Sequence, residues 1–327
     1  MADKTNLKKA LFRILLVTGS FAGSLQAFAC VNVVSKHVIT PDTVSPTLRK
    51  SRVVIIAGTN VALWTASFVV LNNTWYRNYP RTSFHLFNDL PEWNQMDKAG
   101  HVWTTYHISR LSSEMWHWTG LDKKKSAVLG GISGLAYEGI IELQDGYSAQ
   151  WGFSLSDIAA NIAGAAFFVS QELVWDEQRI QFKLGYSPYR YAPDLIERRN
   201  QLFGSGTAER ILKDYNSQTY WASANLKSFF PSSNLPKWLN ISAGYGSDGM
   251  FGGRQNVWTD KLGNTINKTS VQRIRRFYLA PDVDLTKIKT KSRLLSTVFY
   301  LVNMVKFPAP AVEINSNGKV EFHGIKF

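Results

Sequence analysis

The sequence predicts an α+β protein in which an N-terminal membrane-associated helical bundle precedes a β-rich C-terminal domain. Two observations support this class. Long apolar segments fill the first half of the chain, whereas short runs rich in aromatic and β-branched residues follow from about residue 179. With 327 residues, of which 45% are hydrophobic, the chain can form one large or two ordinary domains. We therefore expect a helical domain at residues 53–178 and a β-rich, basic domain at residues 179–327.

Residues 1–29 have the pattern of a secretory signal peptide. A basic start precedes the apolar stretch Ile14–Phe28, and an A-x-A cleavage site ends directly before Cys30. Cleavage there would leave Cys30 as the first mature residue, where bacterial lipoproteins carry their acyl chains. Ala27 stands where the lipoprotein signal usually has Leu. The sequence is therefore compatible with lipidation of Cys30, with ordinary cleavage, and with an uncleaved anchor.

Residues 30–52, which contain Pro41, are predicted to be a linker. The next segment, Val53–Leu71, is uncharged and long enough to span the hydrocarbon core of a bilayer. The direction in which this segment would cross the membrane stays open, because basic residues flank both of its ends, Arg52 before it and Arg77 after it.

Three further helices are expected at about Glu92–Trp118, Ser126–Leu143 and Leu155–Trp175. Ser154 followed by Asp157 resembles a capping box at the start of the third helix. A run of three lysines at 123–125 is predicted to form the break before the second. Small residues four apart, such as those at 130 and 134, predict close helix packing.

The second half is predicted to consist mainly of strands and turns. The expected strands are Tyr220–Phe229, Leu239–Tyr245, Arg273–Leu279 and Val312–Phe327. Asn317-Gly318 is a strong signal for a two-residue hairpin within the last of these. Two interruptions are expected to be partly helical, namely Asp194–Asn216 and Leu294–Val305.

The formal net charge of +13 favours an anionic partner. No zinc-finger spacing, aromatic RNA-binding signature or Gly-rich phosphate loop occurs in the sequence, so we do not expect nucleic acid binding. The expected partners are membrane lipid and an anionic envelope polymer or envelope protein. The 11 Trp residues gather near the ends of apolar segments, which favours a membrane interface, although large core residues give the same pattern.

Polar residues recur at helical spacing inside these apolar segments. The set is Asp97, Lys98 and His101 on the first helix, Glu138, Glu142 and Asp145 on the second, and Asp157 and Asn161 on the third. Such groups cost several kcal/mol in a core or in hydrocarbon unless they are paired. We therefore expect them to converge on one another, on a cation or on a wet cavity, and Lys98 could pair with Asp145.

Three kinds of site remain open for this set. His101 and Glu142 could act as acid and base, while Asp97, with Glu138 and Asp157, holds a divalent metal or the histidine. The set could instead be a structural hydrogen-bond network, or a polar groove for a lipid headgroup. The sequence contains no nucleophile motif and does not decide whether the protein is an enzyme.

The same residues resemble a known family from about residue 90 to about residue 170. The matching motifs are Asp97-Lys98-x-x-His101 with Tyr106, Glu142-x-x-Asp145-Gly146, and Gly152-Phe153-Ser154-x-x-Asp157-x-x-x-Asn161-x-x-Gly164-Ala165. This pattern resembles the YfiM-type family of uncharacterised, predicted lipoproteins of the bacterial envelope, and more distantly the VanZ-like membrane proteins. The resemblance implies a membrane-associated helical domain at the outer membrane or periplasmic face, with the inner membrane as an alternative, and it implies no reaction.

Two functions follow as hypotheses. The first is a structural or scaffolding role in the bacterial cell envelope, which fits the absence of a nucleophile motif. The alternative is a membrane-embedded enzyme that acts on a lipid or glycan intermediate through the Asp/His/Glu set.

Overall fold

The computed structural model describes residues 48–72, 76 and 80–327. The predicted signal peptide at 1–29, Cys30 and all but the last residues of the predicted linker lie outside this part of the chain. The described chain confirms the α+β class, because helices dominate its first half and an antiparallel sheet dominates its second half.

The chain divides into two compact units. We call the first the helical unit; it comprises the described residues up to Phe87, Thr104–Gln178 and Lys289–Val302. We call the second the sheet unit; it comprises Asn88–Trp103, Arg179–Ile288 and Asn303–Phe327. Each unit thus includes sequence from both halves of the chain.

Five helices contribute to the helical unit. They are α1 (Lys50–Leu71), the part of α2 (Met96–Trp118) that follows Trp103, α3 (Lys123–Asp145), α4 (Leu155–Trp175) and α8 (Arg293–Val302). Helices α1 and α4 are long and apolar enough to cross a membrane by length and composition. Membrane association of this unit stays a prediction, because buried helices of soluble proteins pass the same criterion.

Local hydrogen bonds explain where two of these helices begin. The Ser154 side chain accepts a hydrogen bond from the backbone N–H of Asp157 at 3.1 Å, which confirms the predicted cap of α4. The Asp122 side chain accepts one from the backbone N–H of Lys125 at 2.9 Å. The lysines at 123–125 therefore form the first turn of α3, and the prediction that they break the helix was wrong.

Two glycines of α3 allow close contact with α2. A Cβ atom at Gly130 would lie 2.4 Å from the backbone oxygen of Ser109, and one at Gly134 would lie 2.4 Å from the Ser109 Oγ. This confirms the close packing predicted from their spacing. A neighbouring cluster of Ile56, Met115 and Tyr300 forms an apolar core of this unit.

The sheet unit is built on an antiparallel six-stranded sheet with the order β1-β2-β3-β6-β7-β8. Its strands are β1 (Ile180–Tyr186), β2 (Gln218–Asn225), β3 (Leu239–Asp248), β6 (Ile274–Val283), β7 (Ala309–Asn315) and β8 (Val320–Lys326). A separate pair consists of β4 (Val257–Thr259) and β5 (Thr265–Asn267). Short helices α5 (Ile196–Phe203), α6 (Thr207–Lys213) and α7 (Leu226–Phe229) lie between strands.

Most expected elements of this half are confirmed. The hairpin around Asn317-Gly318 joins β7 and β8, and Gly318 has a φ of 77° there. The two helical interruptions correspond to α5 and α6, and to α8. The predicted strand Tyr220–Phe229 was wrong for its last four residues. They form α7 because the Asn225 side chain accepts a hydrogen bond from the backbone N–H of Ser228 at 2.9 Å.

Gly130→Ala should destabilise the folded protein by about 1–3 kcal/mol, because the added methyl group overlaps the backbone of Ser109. Gly139→Ala is the matched control on the same helix, because a Cβ atom there meets nothing within 4 Å. It should leave stability unchanged or raise it by about 0.5–1 kcal/mol. Thermal unfolding in detergent, followed by circular dichroism, measures both, and equal effects would contradict the close packing of α2 and α3.

Candidate functional site

The predicted polar residues divide between the two units. Glu138, Glu142, Asp145, Asp157 and Asn161 belong to the helical unit, whereas Asp97, Lys98 and His101 belong to the sheet unit. The convergence of all eight on one site stays a prediction. In each unit, these side chains contact neighbouring residues of the same unit.

In the helical unit, two of the carboxylates lie at the start of α4. An oxygen of Glu142 accepts a hydrogen bond from the backbone N–H of Ser154 at 3.3 Å, and Asp157 is in the first turn of the helix. Both residues are buried, with 1% and 4% of their surface exposed. Because the N-terminus of a helix carries a partial positive charge, it stabilises carboxylates at this position.

A third buried residue of the set links two helices of this unit. The Thr105 hydroxyl on α2 donates a hydrogen bond to the Asn161 Oδ1 on α4 at 2.8 Å. Both side chains are almost fully buried. A buried hydrogen bond of this kind fixes the relative position of the two helices. Separating them would leave the hydroxyl and the amide oxygen buried without a hydrogen-bond partner.

The acidic residues of α3 share one face, as their spacing predicts. The Tyr76 hydroxyl donates a hydrogen bond to Asp145 at 2.8 Å. The pKa of Tyr76 is raised by burial, and then by the negative charges of Asp145, Glu142 and Glu138. All three carboxylates therefore act on the phenol of Tyr76, a residue that was not among the predicted site residues.

In the sheet unit, Asp97 occupies the first turn of α2 and has three polar neighbours. It accepts hydrogen bonds from the Tyr215 hydroxyl at 2.7 Å and from the Lys98 ammonium at 2.9 Å. The Nε2 atom of His101, one turn later, lies 3.9 Å from the nearer Asp97 oxygen. Lys98 also forms an ion pair with Asp89 at 2.7 Å.

These neighbours determine the charge of Asp97. Burial alone raises its pKa, but the positive charges of His101 and Lys98 lower it. Hydrogen bonds from Lys98 and Tyr215 act in the same direction, and the pKa of Asp97 ends below its usual range. Asp97 is therefore ionised at neutral pH and suits the role of a fixed anion that orients His101. The pair also offers one oxygen and one nitrogen ligand to a metal ion.

A left-handed turn directly precedes α2. Trp93, Asn94 and Gln95 have φ values of 48°, 49° and 60°, the left-handed region that residues other than glycine rarely adopt. The Trp93 ring packs against Phe203 and Tyr215, with ring centroids 5.7 and 5.6 Å apart. The predicted start at about Glu92 coincides with the start of a short 3-10 helix, Glu92–Gln95, and the α-helix begins after it at Met96.

The position of Asn94 is fixed by distant side chains of the sheet unit. Its amide donates a hydrogen bond to the Ser247 Oγ at 2.9 Å, and Arg275 donates one to its backbone oxygen at 3.0 Å. A strained turn persists only where its surroundings over-determine it, and such turns cluster at functional sites. This turn immediately precedes Asp97 and so sets the position of the Asp97 and His101 side chains.

The comparisons with known proteins concern the segment that carries these residues. Residues 87–171 match the model of a family described as "Predicted periplasmic lipoprotein (DUF2279)". No curated protein and no solved structure matches the chain. The match confirms the expected location in the cell envelope, at its periplasmic face, and the resemblance to a family of predicted envelope lipoproteins. The YfiM-type and VanZ-like names rest on the quoted motifs alone.

Asp97→Asn should destabilise the protein by about 1–3 kcal/mol at neutral pH, because the Lys98 ammonium and Tyr215 hydroxyl lose an ionised acceptor. The pKa of Asp97 is lower in the folded than in the unfolded chain, so its contribution is present above the unfolded value of about 3.9 and is lost as the pH falls through the folded value. The stability difference between wild type and variant should therefore shrink below about pH 4.

Thermal unfolding between pH 3 and pH 8 measures this difference. Asp194→Asn is the control, because Asp194 is an exposed aspartate of the same unit that pairs with Lys268 on the surface, and it should change stability little. A pH-independent difference for Asp97→Asn would show that Asp97 is not the ionised partner described above.

Proposed function

We propose that the protein has a structural role in the bacterial envelope, as a scaffold whose sheet unit lies against membrane lipid. The observation that carries this proposal is the reversed polarity of the six-stranded sheet. Its inward side chains include paired charges beside a small aromatic cluster, and most outward side chains of its last four strands are apolar.

Outward residues of four adjacent strands form what we call the outer apolar face. It consists of Ile241 on β3, Phe277 and Leu279 on β6, Val312 and Ile314 on β7, and Val320 and Phe322 on β8. Their exposed fractions range from 40% for Ile241 to 73% for Phe322.

Strand register makes this face continuous. Leu279 pairs with Val312, which pairs with Phe322 on the other side. A parallel row beside it consists of Phe277, Ile314 and Val320. Contiguous apolar patches of this kind are rare on soluble monomers and mark surfaces that contact a protein or a membrane.

The opposite face of the sheet holds buried charge. Asp282 on β6 lies 3.0 Å from the Lys183 ammonium and 3.3 Å from that of Lys306. All three side chains are at most 1% exposed. A half-solvated antiparallel sheet normally shows the opposite arrangement, with apolar residues inside and polar residues outside. Apolar outward and polar inward residues are the pattern of strands that face lipid.

Three features favour lipid over a protein as the occupant of the outer apolar face. Exposed aromatic residues lie where β3 begins and β6 ends, namely Phe230, Trp238 and Phe307, and aromatic rings favour the interface between hydrocarbon and water. Helices α1 and α4 have the length and composition of membrane spans. The net charge of +13 suits a surface that contains anionic lipid.

Under this proposal the predicted polar set has a structural task. Glu142 and Asp157 stabilise the start of α4, Asn161 links it to α2, and Asp145 binds Tyr76. The enzyme hypothesis remains the alternative, and the observation that favours it is the ionised Asp97 beside His101.

A dye placed on the outer apolar face should contact lipid in the reconstituted protein. The chain has one cysteine, so a Cys30→Ser background allows single labels through Phe322→Cys or Ile314→Cys. In vesicles of phosphatidylcholine and phosphatidylglycerol, quenchers on the acyl chains should quench both labels. Leu262→Cys is the control, because Leu262 is 86% exposed in the turn between β4 and β5, outside this face.

Quenching that is equal at all three positions, or absent at 314 and 322, would contradict the proposed lipid contact. Cross-linking of two copies through position 322, without quenching, would show instead that this face binds a second copy of the chain.

The variant Glu142→Gln tests whether the predicted polar residues have a structural or a catalytic role. The amide oxygen still accepts the hydrogen bond from the Ser154 backbone, so the folded protein should lose only about 1 kcal/mol of stability. The variants Glu142→Gln and His101→Ala are expressed in a strain that lacks the gene, and the integrity of its envelope is measured. If the role is structural, each variant should restore integrity in proportion to the amount of folded protein. Loss of complementation at normal folded levels, in both variants, would favour the enzyme.

A further inference from the structure

The sheet unit contains a polar cavity of about 320 Å³. It lies on the face of the sheet opposite the outer apolar face, because its lining residues alternate with the outward residues along β6 and β7. On β8, a register shift against β7 places Lys326 on the same face as His323. The charged residues of its wall are Arg190, Asp248, Arg276, Glu313, His323 and Lys326. Its volume falls at the lower end of the range for small-molecule sites.

Both acidic residues of the wall already have partners among the wall residues. Arg276 donates hydrogen bonds to Asp248 at 2.7 and 2.8 Å and forms a second ion pair with Glu313. The Nε2 atom of His323 lies 2.8 Å from the other oxygen of Glu313. Because each acid already has a positively charged or hydrogen-bonding partner, both offer less to a cationic ligand.

Lys326 and Arg190, unlike these acids, have no ion-pair partner among the described residues. The Lys326 ammonium lies 4.7 Å from the centre of the Tyr278 ring, and no residue in the described part of the chain forms a hydrogen bond or ion pair with it. Arg190 lines the cavity and is exposed, so it lies where the cavity opens to solvent; it also has no hydrogen bond or ion pair among the described side chains. The pKa of Lys326 is lowered by burial, although the charge of Glu313 raises it.

Hydroxyl groups complete the polar lining. Tyr189 and Ser187 lie in the segment after β1, next to Arg190. Tyr278 lies beneath Lys326, and its hydroxyl is bonded to Glu313. Hydroxyl and ammonium donors together match the oxygen atoms of a polar ligand, and charged donors form the strongest hydrogen bonds to oxyanions.

We propose that this cavity binds a small polar molecule through an oxyanion, a carboxylate or a phosphate, which the ammonium of Lys326 holds with the guanidinium of Arg190 at the mouth. The ligand is no larger than a monosaccharide or a glycerol phosphate, because the cavity is small. This inference goes beyond the scaffold role and does not depend on it.

A divalent metal is the competing occupant. Glu313, Glu321 and His323 each offer a ligand atom, and these atoms lie within 4.8 Å of one another. Glu313, however, already binds Arg276, and Glu321 forms an ion pair with Lys319. A dication would have to displace or approach both of these positive groups, which costs electrostatic energy. The wall therefore favours an anion.

Titration calorimetry on the full chain in detergent tests the proposal with matched pairs of probes. Glucuronate is compared with glucose, and glycerol 3-phosphate with glycerol, so that each pair differs mainly in its oxyanion. We expect at least one anion to bind and its uncharged counterpart not to bind. The anion that binds identifies the source as a sugar acid or a phosphate ester. Binding of neither anion would overturn the proposal.

Lys326→Met keeps an apolar stem over Tyr278 and removes the charge. It should weaken binding of the anion by about tenfold or more, because a hydrogen bond to a charged group is lost. Lys319→Gln is the matched control, because it removes the same charge from the exposed turn between β7 and β8, where the side chain is 68% exposed. It should change affinity less than about twofold.

Equal weakening in both variants would show a nonspecific charge effect and would overturn the proposed site. Arg190→Gln serves as the second test if Lys326→Met does not fold, and it should also weaken binding; unchanged affinity in it would then overturn the proposal. Tight binding of Zn²⁺ that His323→Gln abolishes, without binding of either anion, would replace the anion site with a metal site.

Discussion

The sheet unit depends on the pairing of one buried carboxylate with two buried ammonium groups. Asp282 lies between Lys183 of β1 and Lys306, which follows α8. The pKa of Asp282 is raised by burial, but the two lysines lower it below its usual range. Loss of the carboxylate would be costly, because it would leave two buried ammonium groups without a counter-charge. On the same face Trp221 and Tyr278 form a small aromatic cluster beside the charges, whereas the exposed large apolar side chains of the sheet, such as Leu279 and Phe322, lie on the other face.

This arrangement separates two surfaces with different chemistry on a single sheet. The period of two along a strand places Phe277 and Leu279 on one side and Arg276 and Tyr278 on the other. The apolar side carries the proposed lipid contact, and the polar side carries the proposed anion cavity. The family match ends at residue 171 and thus does not reach either surface.

The local features of the fold could be predicted from the sequence, because they depend on neighbouring residues. The Ser154 cap and the Asn317-Gly318 hairpin are of this kind. The left-handed turn at Trp93 could not be predicted, because it contains no glycine and is held by residues far along the chain. The partner of Asp97 was missed for the same reason, since Tyr215 lies 118 positions away. The shared face of the acidic residues on α3, in contrast, followed from helical spacing alone.

The short connection between β7 and β8 has a consequence for how the chain folds. In the six-stranded sheet every other neighbouring pair of strands is joined through a longer connection, and closing a long loop costs entropy before any contact forms. The β7–β8 hairpin is thus the pairing of that sheet that can form fastest. It brings Val312 and Phe322 together early, so an apolar strand pair is exposed before the rest of the sheet has formed. An exposed pair of this kind favours aggregation until the remaining strands cover its edges.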